Sequence, residues 1–525
     1  MLPRILNLQL RPLGATELCA PDVHYVPLDD GRVVAFDANT LVAVELSKEQ
    51  HEALTRRREN SVRPALLRPP EQRPAFAAEA AASAEWASCE ERGQPPAAGD
   101  NPPVRRTQGG PEQQSNGPPH ALLFSKRRPK FDLSPDVSCR ALTLHLSDQC
   151  NQRCQYCWVE KDSTDRGNPP PVMTREIAAA ALGMFPAGGR PFEFPQGGHE
   201  PSSKGRDLRI GFFGGEPLLH FGTLSLITEL AERRALQYSA EIGGRGKCRA
   251  VFHLTTNATL VTPIIAKYLR DHDFTIIVSC DGPQKLHDAA RGRGSYAAMM
   301  RGLELLHHAG CSKRIVLRGT WSGAPPKIPA RLGALNRLCI DGLAAGVALE
   351  PVAGAEYGDT LASEIRSACY WFGVHARSGG TPRWQYLEKT LGRILWQQFR
   401  SSECGAGRGY YSVGPTGILY ACHKQQNSEI GVISPRLVID EGLRSQWLDN
   451  RFCARSECGN CWARHICGGS CRSESLEFCG GMRKPHAGRC MLMRQLVAEA
   501  LRLAATLPRE VLLRICPAPD RRNSG

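Results

Sequence analysis

The stretch "CNQRCQYCW", Cys150 to Trp158, sets three cysteines at offsets zero, four and seven. A structural zinc takes four soft ligands in a closed tetrahedron, commonly from two separated Cys-x2-Cys pairs. A cubane [4Fe–4S] cluster has four iron corners and is ordinarily held by four thiolates. Three thiolates from one short loop leave one corner open for another ligand. Immediately upstream, "RALTLHL" (140–146) reads as a buried strand, so the cysteine loop leaves a strand end.

Outward from that loop the pattern alternates. "TREIAAAALGMF" (174–185) is a helix with Thr174 as its cap, and a Gly/Pro-rich insertion follows over 186–207. "LRIGFFGGEP" (208–217) is the second strand. "AVFHLTTNA" (250–258), "FTIIVSCDG" (274–282), "RIVLRGTW" (314–321) and "GVALEPV" (346–352) supply four more, with helical segments between them. Six strands alternating with helices predict an α/β fold, a parallel sheet or partial barrel whose site lies at the strands' C-terminal ends. The unusual residues cluster there: Gly214, Gly215 and Glu216, then Asn257, Ser279 and Arg318. Asp281 and Asp288 follow the fourth strand, as loop shapers or as partners of Arg291.

Nearer the N-terminus, "VHYVPLDDGRVVAFDANTLVAVEL" (23–46) alternates like a short antiparallel sheet with an Asp-Asp-Gly turn. "SKEQHEAL" (47–54) places Gln50 three residues after Ser47, the pattern of a capping box. Residues 67–119 are rich in Pro, Gly, Glu, Gln and Ala and read as a low-complexity segment. Within it, "PAFAAEAAASAEW" (74–86) has the composition of a helix. The expected domains are a small N-terminal module at 1–66, the low-complexity segment at 67–119, and an α/β unit at 120–400. A cysteine-rich region at 401–495 and a C-terminal helix and tail at 496–525 complete the chain.

Bulk properties exclude several classes. A chain of 525 residues is too long for one compact core. No apolar run approaches the length needed to span a bilayer. "MLPRILNLQLRPLG" lacks a long apolar core and a small-residue cleavage site, so a cytoplasmic chain is expected. In a reducing compartment, 21 cysteines are not a disulfide framework, and nine of them fall between Cys404 and Cys490. The net charge of +14 comes without a basic–aromatic repeat, so it is read as arginine-rich composition and not as a nucleic-acid surface.

Cys150-x3-Cys154-x2-Cys157, with the aromatic Tyr156, resembles the signature of radical S-adenosylmethionine (SAM) enzymes. The resemblance implies a partial (β/α)6 barrel and a [4Fe–4S] cluster whose open iron is chelated by SAM. Reductive cleavage of that SAM would give a 5′-deoxyadenosyl radical. Gly214, Gly215 and Glu216 resemble the family's contact to the SAM amino group. Asn257, Ser279 and Arg318 resemble its contacts to ribose and carboxylate.

The second cysteine field reads Cys404-x12-Gly417-x4-Cys422, then Cys458-x2-Cys461-x5-Cys467-x3-Cys471, then Cys490. It resembles the seven-cysteine SPASM extension of radical SAM enzymes that modify peptides and proteins. Two auxiliary iron–sulfur clusters, expected to be [4Fe–4S], are implied. Cys404, Cys422 and Cys471 would serve the nearer one, and Cys458, Cys461, Cys467 and Cys490 the distant one. For a fourth ligand of the nearer cluster, Cys453, Cys479 and an open iron that takes a substrate thiol all remain.

Within the superfamily, "CGAGRGYYSVGPTGILYACH", "CGNCWARHICGGSC", "VLRGTW" and "VALEPV" look most like the maturases of six-cysteine (SCIFF-like) peptides. That likeness implies a thioether crosslink between a cysteine thiol and a carbon of a ribosomally made precursor peptide or protein subunit. An external one-electron donor such as flavodoxin or ferredoxin would be needed. The module at 23–57 would be a peptide-recognition domain or a scaffold covering one barrel end. Carbon–carbon crosslinking, formylglycine formation in a sulfatase and amine dehydrogenase subunit maturation are the enzymatic alternatives. A zinc-bearing interaction protein is the non-enzymatic one. No protein base is assigned; His423 and His465 stand closest to the cysteines.

Overall fold

The computed structural model describes residues 4–5, 23–38, 41–52, 55, 139–159, 170–185, 207–241, 248–321, 325–354, 360–400, 402–424, 427–433, 436–448, 455 and 457–518. The low-complexity segment at 67–119, the helix expected at 74–86, the insertion up to residue 206 and Cys453 lie outside the described residues.

The N-terminal strands are β1 (Arg4–Ile5), β2 (Val23–Pro27), β3 (Val33–Asp37) and β4 (Ala43–Leu46). They form an antiparallel sheet in the order β1-β4-β3-β2. Gly31 turns the β2–β3 hairpin at φ +83°, a conformation that suits a residue without a Cβ. The capping box is present: the Ser47 hydroxyl accepts from the Gln50 amide at 3.2 Å, and the Gln50 side chain accepts from the Ser47 amide at 2.8 Å.

The second sheet has ten strands. Its parallel part comprises β5 (Ala141–His145), β6 (Leu208–Phe213), β7 (Ala250–Thr256), β8 (Thr275–Ser279), β9 (Ile315–Trp321) and β10 (Gly346–Pro351). They lie in the order β10-β9-β8-β7-β6-β5, so all six expected strands form and take the expected α/β arrangement. Helices return the chain between them, among them Arg175–Leu182, which Thr174 caps by accepting from the Ile177 amide at 3.4 Å. Burial alternates along β6 and β9. One face packs Ile210, Phe212 and Leu317 into the core, each side chain contributing about 1.5–3 kcal/mol. The alternate residues, such as Arg318 and Thr320, line a cavity.

The sheet then continues through β11 (Tyr410–Val413), parallel to β5, and a meander of β12 (Ile418–Tyr420), β13 (Glu429–Val432) and β14 (Val438–Ile439). The cysteine-rich region is thereby joined to the parallel sheet through Tyr410 beside Ala141. The boundary expected between 495 and 496 falls inside a continuous helix, Ala487–Thr506, because the apolar face formed by Leu496, Val497 and Leu501 packs into the same core as the residues before it. That helix also meets the N-terminal sheet, where Arg502 Nε donates to the Pro27 carbonyl at 2.9 Å. His24 of β2 stacks on Trp462 at 3.9 Å with planes 6° apart, and Phe36 meets the same indole edge-on.

Candidate active site

The ends of β5 and β6 build the first element. Gly215 N donates to the Ser147 carbonyl at 2.9 Å and Glu216 N to the Gln149 carbonyl at 2.8 Å, so the glycine turn is laced to the segment entering Cys150. Gly214 has φ +118°, and a Cβ on Gly215 would run into the Gln149 carbonyl. The sequence explains the glycines: no side chain fits between these backbones.

The Glu216 carboxylate, expected to face a ligand amine, is 2% exposed and occupied by the protein. Oε1 accepts from Thr256 Oγ1 at 2.7 Å and Leu218 N at 3.1 Å, and Oε2 accepts from Asn257 N at 2.8 Å. Burial pushes its carboxyl above the usual range. The Asn257 side chain is likewise engaged: its amide donates to Asn151 Oδ1 at 2.8 Å, and its oxygen accepts from Thr259 N at 3.0 Å. Both residues border the cavity while bracing the cysteine loop.

The loop is held from its other side by helix Gln284–Arg291. Gln155 N donates to the Ala290 carbonyl at 2.9 Å. Asp281, fully buried after β8, accepts from Arg291 Nε at 2.8 Å, Tyr156 Oη at 2.7 Å and Thr320 N at 2.9 Å. Burial raises the Asp281 pKa, but the neighbouring Arg291 guanidinium outweighs it and holds the carboxyl below its ordinary range. Arg291 Nη1 reaches Cys154 Sγ at 4.0 Å. Asp288 accepts from Tyr296 N at 2.8 Å and shapes the loop between two helices.

Ser279 ends β8 at the cavity wall. Arg318, expected to await an anionic cofactor group, has a protein partner: Nη2 donates to Glu350 Oε2 at 2.9 Å on the adjacent strand. The signal for Glu350 was in the sequence, one residue from the end of "GVALEP", but only the side-by-side placement of β9 and β10 brings it to Arg318.

In the second cysteine field Cys404, Cys422, Cys467 and Cys471 border one cavity, and Cys458, Cys461 and Cys490 do not. Cys422 and Cys471 are pushed up to about 11 and about 12 by burial, and each feels the charge of Cys404. Cys458 interacts with Cys490 and Cys461, and Cys467 with Cys490. Arg472, 3% exposed, clamps the first group, donating to the carbonyls of Cys404 at 3.2 Å, Ala406 at 3.1 Å and Trp447. Nothing in the sequence distinguished this arginine from its many neighbours.

A cavity of about 1320 Å³ joins these elements. It is lined by Cys150, Cys154 and Cys157 and by Cys404, Cys422, Cys467 and Cys471. Gly214, Gly215, Ser279 and Arg318 lie on its wall, whereas Cys458, Cys461 and Cys490 do not border it. All ten expected ligands are free thiols. Burial pushes Cys154 up to about 11, so a bound metal would be needed to hold it as a thiolate at neutral pH. Among the described residues no three His, Cys, Asp or Glu side chains converge tightly enough for a single ion, and a cubane spreads its thiolates over separate iron corners. The three-thiol loop, the glycine turn that a Cβ would fill and the cavity beside them fit a cluster with a small-molecule ligand. His423 lines the cavity and burial pushes it down to about 3; His465 is buried edge-on to Phe399. Among the described residues no helix is long and apolar enough to cross a membrane.

Comparison with known proteins agrees with this geometry. Residues 144–321 match the radical SAM superfamily. The radical SAM cyclopropyl synthase TigE of Paramaledivibacter caminithermalis is 22% identical over 381 residues, covering 69% of this chain and 74% of that protein. A serine-type anaerobic sulfatase-maturating enzyme of Klebsiella aerogenes is 24% identical over 361 residues, covering 64% and 81%. The solved structure of native anSMEcpe with bound AdoMet shares the fold, with a TM-score of 0.53 at 16% identity over 69% of this chain and 98% of that one. The zinc-bearing, non-enzymatic reading is thereby set aside. The chain carries a radical SAM domain at residues 144–321 within a mostly parallel α/β sheet, and it is an enzyme.

Proposed function

We propose that this enzyme is a maturase that joins a cysteine thiol to a carbon of a ribosomally made peptide as a thioether. The observation that carries the reading is the single cavity shared by the Cys150, Cys154, Cys157 loop and the Cys404, Cys422, Cys471 group. A [4Fe–4S] cluster on the first trio, with SAM on its open iron, would supply a 5′-deoxyadenosyl radical.

The chain's own residues position and enclose. Gly214 and Gly215 would present backbone to SAM, and Ser279 and Arg318 would contact its polar groups, with Glu216 and Asn257 fixing the turn beneath. Cys404, Cys422 and Cys471 would hold the nearer auxiliary cluster of a SPASM-type region, and Cys458, Cys461, Cys467 and Cys490 the distant one. The cavity would keep the reacting carbon away from water. An external one-electron donor such as flavodoxin or ferredoxin is required. The N-terminal sheet would grip the precursor, since β2 is an edge strand that can add a substrate strand by backbone hydrogen bonds.

Co-expression with a candidate precursor under iron–sulfur-supporting conditions, followed by mass spectrometry, tests this. A peptide that loses two hydrogens and resists thiol alkylation supports the thioether. Loss of two hydrogens with the thiol still alkylatable indicates a carbon–carbon link or serine oxidation. A second reading, formylglycine formation, is favoured by the Klebsiella sulfatase-maturating relative. From a cysteine it would instead exchange sulfur for oxygen and also remove two hydrogens.

A further inference from the structure

Helix Gln385–Leu395 sets Lys389 and Arg393 one turn apart on the cavity wall, and Arg400 lines the same wall just beyond it. Arg393 is 8% exposed; its Nη1 donates to the Ile466 carbonyl at 3.1 Å, while its Nε is buried without a partner. The Arg400 Nε is buried without a partner as well. Burial, then repulsion from Arg393, holds Lys389 below its ordinary range, and burial with repulsion from Arg400 pushes Arg393 down to about 9.

Three nearby carboxylates are paired with other arginines. Glu350 pairs with Arg318 at 2.9 Å, Glu388 with Arg383 at 3.6 Å and Glu474 with Arg489 at 2.9 Å. Glu403, on the same wall, lies within electrostatic reach of Arg455 and Arg489 as well as Arg400, so its charge is shared with arginines outside the stripe. Gathering cations in a sheltered wall is costly unless an anion joins them. Arg393 and Arg400 lie within electrostatic reach of Cys467, so a cluster there would answer part of that charge. Lys389 extends the stripe away from it, toward Glu350 at the end of β10.

We propose that Lys389 and Arg393, backed by Arg400, bind a carboxylate of the peptide substrate and so fix an acidic group beside the reacting carbon. The inference rests on the peptide-maturase reading and deepens it to a substrate class. An ammonium and a guanidinium one turn apart present several donors to one carboxylate.

Anaerobic holoenzyme with SAM is titrated with four probes. These are acetyl-Gly-Gly-Cys-Gly-Asp-amide, its Asn counterpart, and acetyl-Gly-Gly-Cys-Gly-Gly with a free or an amidated C-terminus. Wild type should bind a carboxylate-bearing probe about tenfold more tightly than its neutral counterpart. The Asp and free-terminus probes identify which carboxylate the site takes. Lys389→Met should erase most of the preference with iron content and SAM binding intact, and Lys389→Arg should restore it. Equal affinity for charged and neutral probes, including no measurable binding of either, overturns the inference. So does a preference that survives Lys389→Met, or iron lost from that variant, which would assign the cation to a cluster. Wild type that fails to bind SAM would take down the maturase reading along with this inference.

Discussion

The Tyr156 hydroxyl donates to Asp281 at 2.7 Å across 125 residues of sequence, tying the cysteine loop to the end of β8. Arg291 meets the same carboxylate at 2.8 Å and lies beside Cys154, so one buried acid organises the loop.

Asp281→Asn leaves the Arg291 guanidinium buried without its counter-charge. The variant should lose about 3 kcal/mol of stability at neutral pH, measured by chemical denaturation, and retain less iron on the first trio. The folded-state carboxyl is held low, so its contribution is complete above an unfolded pKa of about 4 and disappears as pH falls through the folded value. The stability gap between wild type and variant should therefore narrow only below about pH 4.

Gly215→Ala places a methyl group against the Gln149 carbonyl in the backbone lacing between the two motifs. The loop entering Cys150 must then shift. The purified variant should show weakened SAM binding and depleted iron at the first trio, with auxiliary-region iron retained, read by iron analysis and equilibrium dialysis.

Arg472→Leu removes donors to the carbonyls of Cys404, Ala406 and Trp447 together. A loss of about 3 kcal/mol is expected from these charge-assisted bonds. Iron should fall at the Cys404 group while SAM cleavage at the first trio persists. Uniform loss of all iron would argue against a local clamp.

His24→Ala deletes the stack on Trp462, at a cost of about 1 kcal/mol. Limited proteolysis should then cut within or near β2 and β3 sooner than in wild type, because the sheet has lost one of its contacts to the cysteine-rich region.

Much of this architecture could be read from local pattern. The six parallel strands follow from their apolar runs, and Ser47 with Gln50 announced its own capping box. The glycine pair at 214–215 stood out in the sequence as a ligand-facing turn, whereas its close approach to the Ser147 and Gln149 carbonyls shows only in the structure. What escaped was long-range. The diagonal contact of Arg318 with Glu350 needs β9 and β10 side by side, and Tyr410 reaches Ala141 across about half of the chain. Glu216 looked like a ligand-facing acid because its donors, Thr256 and Asn257, arrive from the next strand.

Anaerobic reconstitution, chemical reduction and chromatographic measurement of 5′-deoxyadenosine test the central claim most directly. Wild type should release 5′-deoxyadenosine from SAM, and the Cys150→Ala, Cys154→Ala, Cys157→Ala triple variant should release none while keeping auxiliary iron. Wild type that holds no iron on that trio, or that reduces normally and never releases the nucleoside, would contradict the account.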